Sequence, residues 1–185
     1  GNPQYERDGQ RGRSRKMRYD GASKTYILEG EAHVEEPAAS RIVDADVIRY
    51  NTETEKAVFV GNVHYRDSTQ TITGHEVRYD NRNKQYQLSG RGRISDPPNI
   101  IEADSISFNN ELGNGLALGS VIWQDTASDY TLLAHRMDYN KVSDFLHAYG
   151  AFGDAGEGGR PLMKSLVDND TLYMSADTLT SFKPD

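Results

Sequence analysis

The feature that most constrains this chain is an aromatic residue followed eleven positions later by a glycine, a pair that recurs five times. The aromatic residues are Tyr19, Tyr50, Tyr79, Phe108 and Tyr139, and the glycines are Gly30, Gly61, Gly90, Gly119 and Gly150. Successive copies begin 29 or 31 residues apart. A period near 30 residues indicates a repeat architecture, in which each unit packs mainly against its neighbours.

Each repeat is typical of a β-hairpin with two turns. The residue after every aromatic is Asp or Asn, which favours turns because its side chain hydrogen-bonds the backbone two residues on. A second turn is predicted after each glycine-containing segment, at Glu36-Pro37, Asp67-Ser68, Asp96-Pro97-Pro98 and Asp125-Thr126. The segments between turns are rich in Val, Ile, Tyr, Phe and Thr, which favour strands. We therefore predict an all-β chain of about eleven strands.

The glycine-containing strands alternate cleanly between apolar and polar residues. In the second repeat the apolar phase comprises Ala57, Phe59, Gly61, Val63 and Tyr65. Such alternation predicts a sheet with one apolar face and one face in water.

The aromatic-containing strands predict a bend in every repeat. The apolar residues Val43 and Ala45 occupy odd-numbered positions, whereas Ile48 and Tyr50 occupy even-numbered ones. Because side chains alternate between the two faces of a strand, both pairs lie on one face only if the strand slips by one residue at Asp46. The same argument applies at the equivalent positions His75, Asp104 and His135, and Asp177 matches them in a partial sixth repeat. A bend in every repeat is what a curved, folded-over antiparallel sheet needs.

Two columns of residues each have a structural and a functional interpretation. The column of Asp46, His75, Asp104, His135 and Asp177 either binds a metal or titrates near neutral pH, or is a solvent-facing bulge position, and we favour the bulge. The glycine column either relieves crowding at a bend or leaves room on the apolar face for a ligand. No metal and no cofactor are predicted.

The ends of the chain differ from the repeats. Residues 1–15 are predicted to be a disordered lead-in, and the basic run that includes Arg11, Arg13 and Arg15 to be a solvated tail. Residues 16–185 are predicted to form a single repeat domain, interrupted by a Gly-rich loop insertion at 153–170. The chain starts without Met and stops inside a sixth repeat, so we expect a fragment of a longer protein, and a removed export signal remains open.

Composition narrows the class of partner. The net charge of −7 argues against nucleic acid as the main partner. The chain contains no cysteine, which excludes a disulfide framework. No apolar run approaches the roughly 18 residues of a membrane-spanning helix.

The segments Ala45-Asp46-Val47-Ile48-Arg49-Tyr50-Asn51 and Ala57-Val58-Phe59-Val60-Gly61-Asn62-Val63 resemble the OstA-like repeat of periplasmic lipopolysaccharide-transport proteins of the LptA, LptC and LptD type. The resemblance covers about residues 17–182. It implies an open, V-shaped β-jelly roll that is not an enzyme and that lies in the periplasm of a Gram-negative cell envelope. It also implies partners: lipopolysaccharide or a related lipid, and other proteins of this type, or further copies of the chain, joined end to end through edge strands as part of a bridge to the outer membrane.

Within that implied fold, the apolar face predicts which residues contact acyl chains. These lipid-binding residues are Ile48, Tyr50, Phe59, Val63, Val77, Tyr79, Leu88, Ile106, Phe108, Val121, Met137 and Tyr139. The alternative is a structural β-repeat spacer or interaction module whose core is self-packed and binds no lipid. A carbohydrate-processing enzyme would need a pair of carboxylates in one exposed groove, and no such pair is evident.

Overall fold

The protein forms a single antiparallel sheet in a computed structural model that describes residues 3–7, 9–153, 158–168 and 170–181. The prediction of an all-β, repeat-built fold is confirmed. Among the described residues, the helical content is a short 3-10 turn at Pro37–Ala39. The fifteen strands are β1 (Gln4–Arg7), β2 (Gln10–Arg13), β3 (Lys16–Asp20), β4 (Thr25–Glu36), β5 (Arg41–Asn51), β6 (Lys56–Arg66), β7 (Thr71–Asp80), β8 (Gln85–Asp96), β9 (Asn99–Asn109), β10 (Asn114–Asp125), β11 (Tyr130–Asn140), β12 (Phe145–Tyr149), β13 (Leu162–Val167), β14 (Asp170–Ser175) and β15 (Thr178–Ser181).

The strand order is a meander in which β4 to β11 each pair with the next strand along the chain. Both ends of the meander contain interrupted strands. At the N-terminal end, β2 and β3 pair with the two halves of β4. At the C-terminal end, β12 and β13 pair with the two halves of β11. Beyond them, β14 pairs with β13 and β15 pairs with β12. Eleven strands were predicted and fifteen are described. Each of the three interrupted strands is split in two, which gives three of the four additional strands, and β1 is the fourth.

Each long strand pair changes register at its middle. Between β5 and β6 the pairing passes from Asp44 opposite His64 to Val47 opposite Val60. The glycine strand holds the extra residue, because Gly61 and Asn62 both have left-handed backbone, with φ of 74° and 48°. The pairs Gly30-Glu31, Gly90-Arg91 and Gly119-Ser120 share this conformation. The parity slip predicted at Asp46 is therefore confirmed, and its backbone cause is a bulge on the facing strand.

The row of bulges, here called the hinge line, folds the sheet over. Tyr65 pairs with Ile72 on β7, whereas Tyr86 pairs with Tyr79 seven residues further along the same strand. In a flat strand these two positions would be about 23 Å apart. The Tyr86 hydroxyl nevertheless donates a hydrogen bond to the Tyr65 hydroxyl at 3.0 Å. This contact requires the two halves of the sheet to face each other, as the folded-over prediction states.

The fold thus has two rims that meet across a mouth. The first rim comprises the turns after the aromatic strands, at 20–25, 51–56, 80–85, 109–114 and 140–145. In these turns the Asp or Asn side chain accepts backbone N–H bonds, as Asn51 does from Glu53 and Thr54 at 3.0 and 2.7 Å. The second rim comprises the turns at 36–41, 66–71, 96–99 and 125–130. The apolar core lies between the two halves.

Two predictions about the irregular segments are wrong. Residues 1–15 were predicted to be disordered, but Gln4–Arg7 and Gln10–Arg13 form strands, and Arg11 and Arg13 pair with Glu35 and His33 on β4. The edge of β4 would otherwise leave its backbone groups unpaired, and the basic segment satisfies them. Residues 153–170 were predicted to be a loop, but this range contains β13 and begins at the hinge line, just past Gly150. Residues 154–157 lie outside the described part.

Candidate functional site

The interior between the two halves brings together all twelve residues predicted to contact lipid. Tyr50 and Tyr139 are half-buried near the first rim. The other ten are buried in one continuous cluster: Ile48, Phe59, Val63, Val77, Tyr79, Leu88, Ile106, Phe108, Val121 and Met137. Repetition explains this placement, because each residue occupies the inward phase of its strand on one side of the hinge line. Their contact with a lipid stays a prediction.

The protein's own side chains fill the space that small inward-facing residues leave. A Cβ at Gly92 would lie 2.7 Å from Leu88 Cδ2, and a Cβ at Gly115 would overlap the Tyr139 ring. The left-handed backbone of all five glycines in the glycine column fits the structural interpretation. Gly61 needs its left-handed backbone, and the Asp46 side chain lies directly against it. The interior is therefore closed and packed in this conformation.

A network of polar groups closes the middle of the mouth, which the sequence did not predict. Tyr86 donates to Tyr65, and the Tyr65 hydroxyl donates to the Asp67 carboxylate at 2.7 Å. Burial raises the pKa of Tyr65 to about 12 and raises the pKa of Tyr86 still further. Both phenols are therefore neutral hydrogen-bond donors at physiological pH.

Arg41 joins this network from the second rim. Its guanidinium lies 5.8 Å from the centre of the Tyr79 ring, next to the first-rim turn at 80–85, and it forms an ion pair with Glu36 at 3.0 Å. The Tyr79 and Tyr86 rings stack with their centres 4.4 Å apart. Arg41 Nε, however, is buried with no hydrogen-bond partner. The sequence does contain a signal for this contact: Arg41 lies two residues before the buried Val43 on the same strand, so its side chain is expected on the inward face.

A second contact joins the rims towards the C-terminal end. Lys141, in the first rim, forms an ion pair with Asp96, in the second rim, at 3.1 Å. The same ammonium group lies 5.2 Å from the centre of the Phe108 ring, which stacks with Tyr139. Two of the predicted lining residues therefore lie directly under a charged rim contact.

The column at the hinge line faces solvent for most of its length. Asp46, His75, Asp104 and Asp177 are exposed and His135 is partly exposed. Asn62 donates to Asp46 at 3.0 Å, and Arg160 donates to Asp177 at 2.9 Å. Within the described residues, no group of three or more His, Cys, Asp or Glu side chains is arranged to hold a metal ion. The bulge interpretation fits this geometry.

The two ends of the sheet differ in charge and in polarity. The N-terminal end carries the basic side chains of β2 and β3, including Arg11, Lys16 and Arg18. At the C-terminal end, β14 is exposed along its whole length and presents Leu172, Tyr173 and Met174 at 48%, 62% and 47% exposure. Among the strands that the structure describes, β14 pairs with β13 alone, so its other edge has no strand partner there. In the described part of the chain, no helix has the length and apolar character to span a membrane.

These features define a class of protein: an open-ended, folded antiparallel sheet with an apolar interior, a polar mouth and free strands at its ends. Comparison with known proteins identifies which members of that class the chain resembles. Residues 1–56 match the family described as LptA/(LptD N-terminal domain) LPS transport protein.

One solved structure with the same fold is that of LptH, the LptA-homologous periplasmic component of the lipopolysaccharide transport device from Pseudomonas aeruginosa. The two chains are 16% identical and superpose with a TM-score of 0.55, over 71% of this chain and 93% of LptH. No curated protein sequence matches the chain significantly. The similarity to LptA-type proteins that the repeat predicted is confirmed.

Proposed function

We propose that this protein takes part in lipopolysaccharide transport and binds the acyl chains of the lipid between the two halves of its folded sheet. The observation that carries the proposal is the continuous apolar interior, which runs across consecutive repeats and lies beneath a mouth made of polar groups. The match of residues 1–56 to an LPS-transport family and the fold shared with LptH support it.

Burial of acyl chains supplies a driving force on the scale of protein stability. Acyl chains must replace contacts that the two halves now make with each other, so the mouth has to open. A buried methylene gains roughly 0.8 kcal/mol, so about ten methylenes of one chain gain roughly 8 kcal/mol. That gain is comparable with the whole stability of a typical domain, about 5 to 15 kcal/mol. A lipid with several chains can therefore hold the halves apart.

Assembly with other copies or with related proteins follows from the ends of the sheet. A free strand at each end can accept a strand from a neighbour, extending the sheet and its interior into the next molecule. Pairing of an N-terminal edge strand with the C-terminal edge strand of the next molecule would give a head-to-tail arrangement, as part of a bridge that carries lipid to the outer membrane. The proposed location is the periplasm, where LptH acts.

Photo-crosslinking tests the lipid-binding assignment with neighbouring residues as controls. A photoreactive phenylalanine analogue replaces either inward-facing Tyr50 or its exposed neighbour Arg49. A second pair replaces inward-facing Phe108 or outward-facing Ser107. After incubation with lipopolysaccharide and irradiation, the Tyr50 and Phe108 variants should form lipid adducts and the two control variants should not. Equal labelling of inward and outward positions would contradict binding in the interior.

The packed interior also favours a second candidate, a structural spacer with no lipid ligand. Ten of the twelve predicted lining residues are already buried against protein side chains. The same experiment separates the candidates, since a spacer yields no adduct at any of the four positions while keeping its folded spectrum.

A further inference from the structure

We infer that Arg41, Tyr65, Tyr79 and Tyr86 form a reversible latch that holds the mouth shut until lipid enters, a mechanism that rests on the function proposed above. These residues come from both rims and meet over the middle repeats. Arg41 lies in the second rim and Tyr65 directly precedes the second-rim turn at 66–71, whereas Tyr79 and Tyr86 flank the first-rim turn at 80–85. Their contacts are a hydrogen bond of 3.0 Å between the hydroxyls and a cation–π contact of 5.8 Å.

The chemistry of the latch differs from that of the core beneath it. Val77, Ile106 and Val121 near the hinge line are fully buried, and exposing them to water is costly. The hydroxyl and guanidinium groups of the latch, in contrast, exchange protein contacts for bonds to water when they separate, although the Tyr65 and Tyr86 rings are as fully buried as the core. Because water replaces most of what a protein hydrogen bond contributes, these polar contacts hold the mouth less firmly than apolar contacts of the same extent would.

The closed latch is incompletely satisfied, which also favours opening. Arg41 Nε and Gln70 Oε1 are buried without a hydrogen-bond partner, and Gln70 lies beside Asp67 in the same turn region. An unpaired buried polar group destabilises the closed state, because it has lost its hydrogen bonds to water. Separation of the rims would hydrate both atoms and remove that cost. A mouth selected only for permanent closure would be expected to lack such groups.

The latch residues surround the predicted acyl-chain region. Tyr79 is itself one of the predicted lining residues, and its ring stacks on the ring of Tyr86. On β8, Tyr86 and Leu88 are successive inward-facing residues. Movement of Tyr79 and Tyr86 away from Arg41 and Tyr65 would uncover Leu88 and Val77 on the first-rim half. The device therefore controls access to the proposed site.

The distance between the rims tests the latch without lipid. The chain has no native cysteine, so Ser68→Cys in the second rim and Asn83→Cys in the first can carry a pair of spin labels. Pulsed electron paramagnetic resonance then gives the distribution of distances across the mouth. Arg41→Ala and Tyr86→Phe should add a population of longer distances. Arg49→Ala, on the outer face of the same strand as Arg41, should leave the distribution unchanged.

The second readout is the association rate with fluorescent lipopolysaccharide, which should rise several-fold in the Arg41→Ala and Tyr86→Phe variants. Unchanged distance distributions in both variants would overturn the latch. Altered distributions with no lipid bound by any variant, wild type included, would leave the latch standing and refute the proposed function. The Tyr86→Phe variant keeps the ring stacked on Tyr79, so its result holds even if Arg41→Ala unfolds the protein.

Discussion

Replacement of Gly61 by alanine tests the physical account of the hinge line. Gly61 has a φ of 74°, a left-handed conformation that costs an L-residue about 1 to 2 kcal/mol. An added Cβ would overlap the Asp46 carboxylate and would lie 2.9 Å from the Asp46 Cβ. Forcing an extra methyl into such a contact typically costs about 1 to 3 kcal/mol. We therefore expect Gly61→Ala to lower the free energy of unfolding by about 2 to 5 kcal/mol.

Gly74 provides the matched control, because it is a glycine in the same sheet without either constraint. Its φ is not positive, and a Cβ there would meet Gly92 Cα at 3.5 Å, an ordinary contact. The equivalent position in three other repeats is alanine, at Ala45, Ala103 and Ala134. Gly74→Ala should stabilise the protein by about 0.4 to 1 kcal/mol, because alanine restricts the unfolded chain.

Urea unfolding followed by the fluorescence of Trp123, the single tryptophan, measures both changes. Trp123 is partly buried against the core and Tyr130, so its emission reports on packing of the sheet. Adding Asp46→Ala to Gly61→Ala should recover part of the loss, since it removes the carboxylate but not the backbone penalty. The reasoning fails if Gly61→Ala stays within about 0.5 kcal/mol of wild type, or if Gly74→Ala is equally destabilising.

Two further predictions concern the mouth and the C-terminal end. Because the pKa of Tyr65 is raised from 10 to about 12, its neutral form stabilises the fold fully below pH 10, and that contribution is lost as the pH rises towards 12. Tyr65→Phe should remove roughly 2 to 3 kcal/mol of this alkaline loss in urea titrations between pH 9 and 12, and an unchanged pH dependence would contradict the assignment. Leu172→Lys places a charge on the exposed edge strand and should weaken concentration-dependent self-association in sedimentation experiments. Val142→Lys adds the same charge in an exposed turn away from that edge and should have no effect, so equal behaviour of the two variants would argue against assembly through β14.

Local pattern was sufficient to predict the repeating part of the fold. The parity of Val43 and Ala45 against Ile48 and Tyr50 placed the register change at Asp46, where the structure has it. Parity carries this information because one apolar face must stay buried on both sides of a bulge. The pattern could not show which strand holds the extra residue. That depends on the left-handed backbone of Gly61 and Asn62 on the facing strand.

The interrupted strands escaped prediction because their partners decide their conformation. The segment with Arg11 and Arg13 has the composition of a solvated tail, and only the free edge of β4 makes it a strand. The contacts of the mouth were equally hidden. Tyr65 and Tyr86 meet only after the sheet has folded at the hinge line, and neither position shows in isolation which residue lies across from it.

A periodic signal for the mouth is nevertheless present once the hinge line is known. The first apolar residue of each aromatic-containing strand faces inward, and the position two residues earlier is in the same inward phase. In four successive repeats this earlier position is occupied by Arg41, Gln70, Asn99 and Tyr130. All four are polar or amphipathic, although each shares the inward phase of the buried residue that follows it. Arg41 is part of the latch, and Gln70 lies beside it. An apolar residue there would extend the core to the edge of the second rim and bind the halves together permanently. Polar or amphipathic residues at this position in these four repeats instead end the core one step short of the rim, which leaves the fold closed by groups that water can replace.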